Sequence, residues 1–196
     1  MYEIEMKAHV WDTKTLRNNL NSFATKGKIL DKSDQYWKHP ATNQQIRIRK
    51  EEIDNITTYL VTYKRKQIKV TNSGNTMEVN DEQEFTIDNP NALVFFLQDG
   101  GYTISLYKEK KVEQWHYENV LLELCSVPPL GDFLEIEIIS DSDNPEIIQA
   151  YEQQISHLFT LCGIAKTDIE NKYYSQLLEE RLCSKDENSK QKQKNN

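Results

Sequence analysis

The chain is poor in the residues that usually announce a disulfide staple or a bound nucleotide. It has three cysteines, six glycines and five prolines in 196 residues. Cys125, Cys162 and Cys183 are odd in number and widely spaced, and no CxxC occurs. That pattern gives neither a disulfide framework nor a zinc site, and makes a reducing cytosol the expectation. The glycines form neither GxGxxG nor a P-loop, so the two common phosphate-cradling turns are missing. His9, His39, His116 and His157 lack metal-ligand spacing. No apolar run is long enough to span a bilayer, and charge from Glu3 onward leaves no signal-peptide core. The expectation is a cytoplasmic protein with no membrane partner. Positive charge is in deficit: 24 Lys and Arg against 31 Asp and Glu give a net charge of −7. That balance argues against nucleic acid as a partner. A cationic pocket must then be assembled residue by residue.

What the chain does have is alternation. Residues 2–10 read as a strand, and extended runs follow at 29–37, 44–51, 57–66, 82–87, 102–112, 114–125 and 132–139. The 102–125 pair turns near "YEN", and 67–77 is a polar loop around "NSGN". Asp12-Thr13 opens a helix to about Ala24, with Gly27 near its end. Asn89-Pro90 opens a second helix stopped by Gly100-Gly101, and Asn144-Pro145 a third ending at Gly163. Asp168 opens a last helix through about Glu180. The tail, 181–196, is polar and expected to be disordered. Seven or eight strands, few of them separated by helices, imply antiparallel pairing and an α+β fold.

Residues i and i+2 of a strand share a face. Glu3, Glu5 and Lys7 therefore share one. So do Arg47 and Arg49, Lys64 and Lys66, Glu82 and Glu84, Lys108 and Lys110, and Glu135 and Glu137. The opposite faces are apolar in the clearest cases, as in Ile4-Met6, Ile46-Ile48 and Leu134-Ile136-Ile138. An open sheet with one wet face also alternates, but its polar side is usually mixed. Here each strand carries one dominant sign. The expectation is an eight-stranded antiparallel β-barrel with charge inside and helices packed on its apolar outside. Lys and Arg on several walls suit a polyphosphate. Carboxylates repel phosphate, and suit Mg²⁺ or Mn²⁺ bridging to it. The chemistry this spacing implies is metal-assisted phosphoryl or nucleotidyl transfer on a small anion.

The same residues carry a family resemblance. "EIEMK" (3–7) matches the ExExK signature of the CYTH group, also called triphosphate tunnel metalloenzymes. "RIR" (47–49), "TYK" (62–64), "PPLGDFLEIE" (128–137) and "KYYSQLL" (172–178) resemble its later segments. The resemblance covers 1–180 and is nearest to class IV adenylate cyclases. It implies an eight-stranded tunnel and a triphosphate substrate. Carried over by position, Glu3, Glu5, Glu135 and Glu137 hold the metal, with Glu135 the better match of the second pair. Lys7, Arg49, Lys64 and Lys110 hold phosphates, with Arg47, Lys66 and Lys108 beside them. Glu82 and Glu84 lie on an orienting strand. Glu3, Glu5, Lys7, Lys64 and Glu135 are the catalytic set. The implied reaction converts ATP to cyclic AMP and pyrophosphate. The alternatives are hydrolysis of inorganic or thiamine triphosphate, and a non-catalytic nucleotide- or polyphosphate-binding module. A homodimer is left open, since dimers are frequent in the cyclase branch.

Three positions depart from the family pattern. Val112 stands where cyclases usually carry the arginine of Lys-x-Arg. Cys125 stands where an aspartate commonly precedes the "LG" turn, and Asn80 where an arginine often precedes the acidic strand. These bear on cyclisation more than on triphosphate binding. Tyr36 is expected near the tunnel, His9 at its rim and Cys125 as a small buried side chain. The tryptophans are expected to fill the core or the barrel mouth.

Overall fold

The computed structural model describes the backbone of residues 2–70 and 76–181, and side chains within that range except those of 64–70, 76 and 80–82. Lys64, Lys66, Asn80 and Glu82 therefore fall outside the described side chains, and 182–196 of the tail fall outside the described residues.

The strands are β1 (Tyr2–His9), β2 (Thr25–Lys38), β3 (Gln45–Ile53), β4 (Ile56–Val70), β5 (Thr76–Ile87), β6 (Thr103–Tyr117), β7 (Val120–Val127), β8 (Gly131–Ser140) and the two-residue β9 (Ile169–Glu170). The helices are α1 (Thr13–Phe23), α2 (Asn91–Asp99) and α3 (Pro145–Leu161), and a last helical stretch covers 174–181. The sheet runs β5-β4-β3-β2-β6-β7-β8-β1. It closes on itself where Tyr2 to Glu5 of β1 pair with Asp81 to Glu78 of β5. The far half of β1 instead takes β9, with Lys7 opposite Glu170. The result is an eight-stranded antiparallel ring with β9 appended.

The ring turns its apolar face outward because helices cover it. Ile4, Met6 and Ala8 of β1 and Leu134, Ile136 and Ile138 of β8 pack with Leu16 and Leu20 of α1 and Ile155, Leu158 and Phe159 of α3. Burying each such side chain contributes about 1.5–3 kcal/mol. Trp37, Ile48 and Leu97 form a second outer patch, under α2. A third cluster lies on the inward face. Leu30, Val112, Cys125 and Phe133 follow, at i±2, the polar Lys32, Lys110, Glu123 and Glu135, and they pack around Tyr174 from the last helix. The charged lumen is thus stopped by an apolar plug at this level.

Several expectations need correction. Residues 67–70 and 76–77 are strand rather than loop, because they complete the β4–β5 ladder. Gly27 lies inside β2 at an irregularity in the β2–β6 register, where a Cβ would come within 3.1 Å of the His116 ring. Asp168 caps no long helix. Residues 166–168 form a 3₁₀ turn, and Asp168 accepts a hydrogen bond from the Trp11 indole at 3.0 Å. Trp37 and Trp115 are core residues, but Trp11 is 79% exposed.

A charged cavity inside the barrel

A cavity of about 270 Å³ occupies the lumen. Glu3 and Glu5 of β1, Arg47 and Arg49 of β3, Glu84 of β5, Lys108 and Lys110 of β6, and Glu135 and Glu137 of β8 all line it. The strand alternation places them there: on β1 and β8 the intervening Ile4, Met6, Leu134, Ile136 and Ile138 are claimed by the outer core, and Ile48 of β3 packs under α2. Lys7 is buried and donates to Glu78, another lining residue, at 2.7 Å. Sequence-expected Lys64 and Glu82 face each other in the β4–β5 register, and Lys66 faces Asn80.

Within the lumen the charges are partnered in layers. Arg49 donates to Asp34 through Nε at 2.6 Å and Nη2 at 3.0 Å, and Lys108 reaches the same carboxylate at 3.2 Å. Lys32 grips Glu123 at 2.8 and 3.1 Å. Lys110 donates to Glu135 at 2.6 Å. Arg47 donates to Thr62 at 2.9 Å and to Glu84 at 3.4 Å. Its Nε is buried with no hydrogen-bond partner among the described residues.

Proton affinities separate the carboxylates into two groups. Burial pushes Glu135 up, but Lys110 and Lys108 outweigh it and hold its carboxyl well below the usual range. Glu123 is lowered in the same way by Lys110 and Lys32. Glu137 goes the other way: burial, then Glu3 and Glu5, push it well above the ordinary value. Glu5 and Glu137 are directly opposite in the β1–β8 ladder. Crowded carboxylates that raise one another's proton affinity are what a divalent cation relieves. The all-oxygen donor set of Glu3, Glu5 and Glu137 fits Mg²⁺ or Mn²⁺.

Lys32, Asp34, Thr62, Glu78 and Glu123 were not anticipated. Lys32, Asp34 and Tyr36 obey the same i, i+2 rule, but their mixed signs look like a solvated face. Glu123 is a lone carboxylate in "LLELC", and a charge inside an apolar run was its signal. Tyr36 lines the cavity as expected. His9 sits 3.0 Å from Glu170 and stacks on Trp11, ring centroids 5.5 Å apart. Cys125 is fully buried.

A closed antiparallel ring with carboxylate and cation walls facing one lumen defines a β-tunnel protein. The family model described as CYTH domain matches residues 1–174, and the chain belongs to that family. Among solved structures it resembles the PH1819 protein of Pyrococcus horikoshii OT3, at TM-score 0.73 and 23% identity, over 91% of this chain and 99% of that one. It resembles a candidate adenylate cyclase from Vibrio parahaemolyticus at TM-score 0.74 and 17% identity, over 91% and 98%. It also resembles HpAC1 from Hippeastrum, a candidate adenylyl cyclase credited with a dominant triphosphatase activity, at TM-score 0.61 and 17% identity, over 90% and 93%. At these identities the resemblance establishes the fold. No curated protein matches the chain.

Proposed function

We propose that this protein is a metal-dependent enzyme acting on a triphosphate, with cyclisation of ATP to cyclic AMP and pyrophosphate as its first reading. The observation that carries it is the crowding of Glu3, Glu5 and Glu137 opposite a wall of cations within one lumen. In this reading Glu3, Glu5, Glu135 and Glu137 hold Mg²⁺ or Mn²⁺. Bound there, the cation polarises phosphate oxygens and lowers the pKa of an attacking hydroxyl. Arg47, Arg49, Lys108 and Lys110, with Lys7, Lys64 and Lys66, bind the phosphate chain. The unpartnered Nε of Arg47 supports an anionic oxygen beside it. Glu84 holds Arg47 in place, and Glu82 is assigned the same task toward Lys64. The cations offset charge as it builds on departing pyrophosphate, and the walls orient the reacting groups. A cytoplasmic location belongs to the same reading, and no described helix is long and apolar enough to cross a membrane.

A second reading, hydrolysis of inorganic or thiamine triphosphate, is favoured by Val112. It lies in the apolar plug, where it offers no cation to a nucleoside. A product assay separates the two. The purified protein is incubated with ATP, thiamine triphosphate or tripolyphosphate, with Mg²⁺ or Mn²⁺. Cyclic AMP with pyrophosphate supports the first reading, and orthophosphate without cyclic nucleotide supports the second. Tight binding without turnover would leave a non-catalytic module. Glu5→Ala is expected to lose metal-dependent turnover by at least about 100-fold with an unchanged circular dichroism spectrum. Full activity in that variant would overturn the metal assignment.

A further inference from the structure

The segment that follows β9 puts an aromatic side chain among the lysines of the lumen. Ile169 and Glu170 pair with Ala8 and Lys7 of β1, and the Lys172 amide donates to the Glu170 carboxylate at 2.8 Å. The last helical stretch follows this anchor, and its Tyr174 is buried and lines the cavity. Phe133 meets the Tyr174 ring edge-on, with centroids 5.0 Å apart and planes at 88°, so packing sets the ring's orientation. Three ammoniums surround it. Lys108 Nζ lies 5.1 Å from the ring centroid, Lys7 Nζ 5.4 Å and Lys110 Nζ 5.7 Å. Lys7 also lies over Tyr173 and Lys108 over Tyr36. Among the described residues, Tyr174 is the ring that all three share. Lys7 belongs to β1 and the other two to β6, and β7 and β8 stand between those strands in the sheet. No direct strand pairing holds these lysines together.

We propose that Tyr174 is a positioning residue for the substrate: its ring gathers Lys7, Lys108 and Lys110 into one cradle for a single phosphoryl group at the plugged end of the lumen. This role rests on the triphosphate reading above. Each ammonium has a carboxylate partner, Glu78 for Lys7, Asp34 for Lys108 and Glu135 for Lys110. A carboxylate repels an arriving phosphate and competes with it for the same N–H donors. An aromatic face attracts an ammonium through its quadrupole and carries no net charge. It holds the cation in place without opposing the anion. A packed ring has few torsions and a lysine has many, so ordering three ammoniums on one face before binding reduces the entropy lost when phosphate arrives. The Tyr174 hydroxyl is also a hydrogen-bond partner of Glu135. Ring and hydroxyl therefore make separate contributions, and variants can divide them.

Calorimetric titration of the full chain with the imido analogue of tripolyphosphate, in the presence of Mg²⁺, reads the cradle. Tyr174→Phe keeps the ring and loses the hydroxyl, whereas Tyr174→Leu keeps apolar bulk and loses both. Tyr174→Leu is expected to bind the analogue about tenfold more weakly than Tyr174→Phe. Ring fluorines withdraw electron density from the aromatic face with little change in shape. Phenylalanine carrying one, two and three ring fluorines at position 174 is therefore expected to weaken binding stepwise, by about 3–10-fold over the series, with unchanged circular dichroism spectra. A side chain that merely fills space would give one affinity throughout. A flat fluorine series overturns the role of Tyr174 and leaves the triphosphate reading intact. So does a loss in Tyr174→Phe equal to that in Tyr174→Leu, which would assign the effect to the hydroxyl. A parent protein that does not bind the analogue overturns the triphosphate reading itself, and the cradle with it. If Tyr174→Leu does not fold, the fluorine series decides alone.

Discussion

Asp34 shows how much one buried side chain can organise. Its side chain is fully buried, and it receives both arms of Arg49 and the ammonium of Lys108. Burial pushes its carboxyl upward, but Arg49 and Lys108 outweigh that and hold it well below the usual range. Its folded value lies below the unfolded one. The stability it contributes is therefore complete above the unfolded value, about pH 4, and is lost as pH falls through the folded value. Asp34→Asn strands two cations in the lumen. It should cost about 3–5 kcal/mol, and the variant's urea midpoint should fall less steeply below pH 4 than the parent's. A midpoint unchanged at neutral pH would show that the Asp34 cluster does not hold the barrel together. Sequence spacing foresaw Arg49 and Lys108 but not the acid between them. A spacing rule identifies which residues share a face, not which neighbouring strand lies opposite.

Elements were legible where local signals set them and illegible where closure did. α3 begins as its Asn-Pro start implies: Asn144 accepts from the Glu146 amide at 2.8 Å, with Pro145 next. Its stop is also local, at Gly163 with φ of +77°, a conformation glycine adopts freely. Asn144→Ala is expected to cost about 1 kcal/mol and to lower Tm by roughly 2–4 °C without altering turnover, measured by thermal unfolding beside an activity assay. The polar residues around 67–77 carry no comparable signal. Gln67 and Ile68 are strand because Val79 and Glu78 lie opposite them, and β5 is long because β1 needs a partner to close the ring. The segment from Asp168 to Tyr173 has a helical start in sequence. Instead Ile169 and Glu170 pair with Ala8 and Lys7, so tertiary pairing overrides the local preference. The paired charges of β1, β3, β6 and β8 were visible for the opposite reason, since single-sign alternation is a property of the strand itself.

Across the lumen the cations are held in ion pairs. Lys7 is paired with Glu78, Lys32 with Glu123, Arg47 with Glu84, Arg49 and Lys108 with Asp34, and Lys110 with Glu135. A polyphosphate entering this space draws cations away from carboxylates that are already desolvated. Those carboxylates sit beside the Glu3–Glu5–Glu137 group, where repulsion already raises Glu137. The anion alone therefore trades one set of ion pairs for another and leaves negative charge uncompensated. A divalent cation removes that deficit. Each ligand should then strengthen the other, by about 5–150-fold for a coupling of 1–3 kcal/mol, and by the same factor in either order. Calorimetric titration with the imido analogue of tripolyphosphate, with and without Mg²⁺, measures one leg. Titration of Mg²⁺ with and without the analogue measures the other, once complexes formed in solution are subtracted. Glu137→Gln removes one of the repelling charges, so its coupling should be smaller than the parent's. If Mg²⁺ leaves the affinity for the analogue unchanged, the carboxylate wall is a structural counter-charge for the lysines and arginines, and the metal has no place in the lumen.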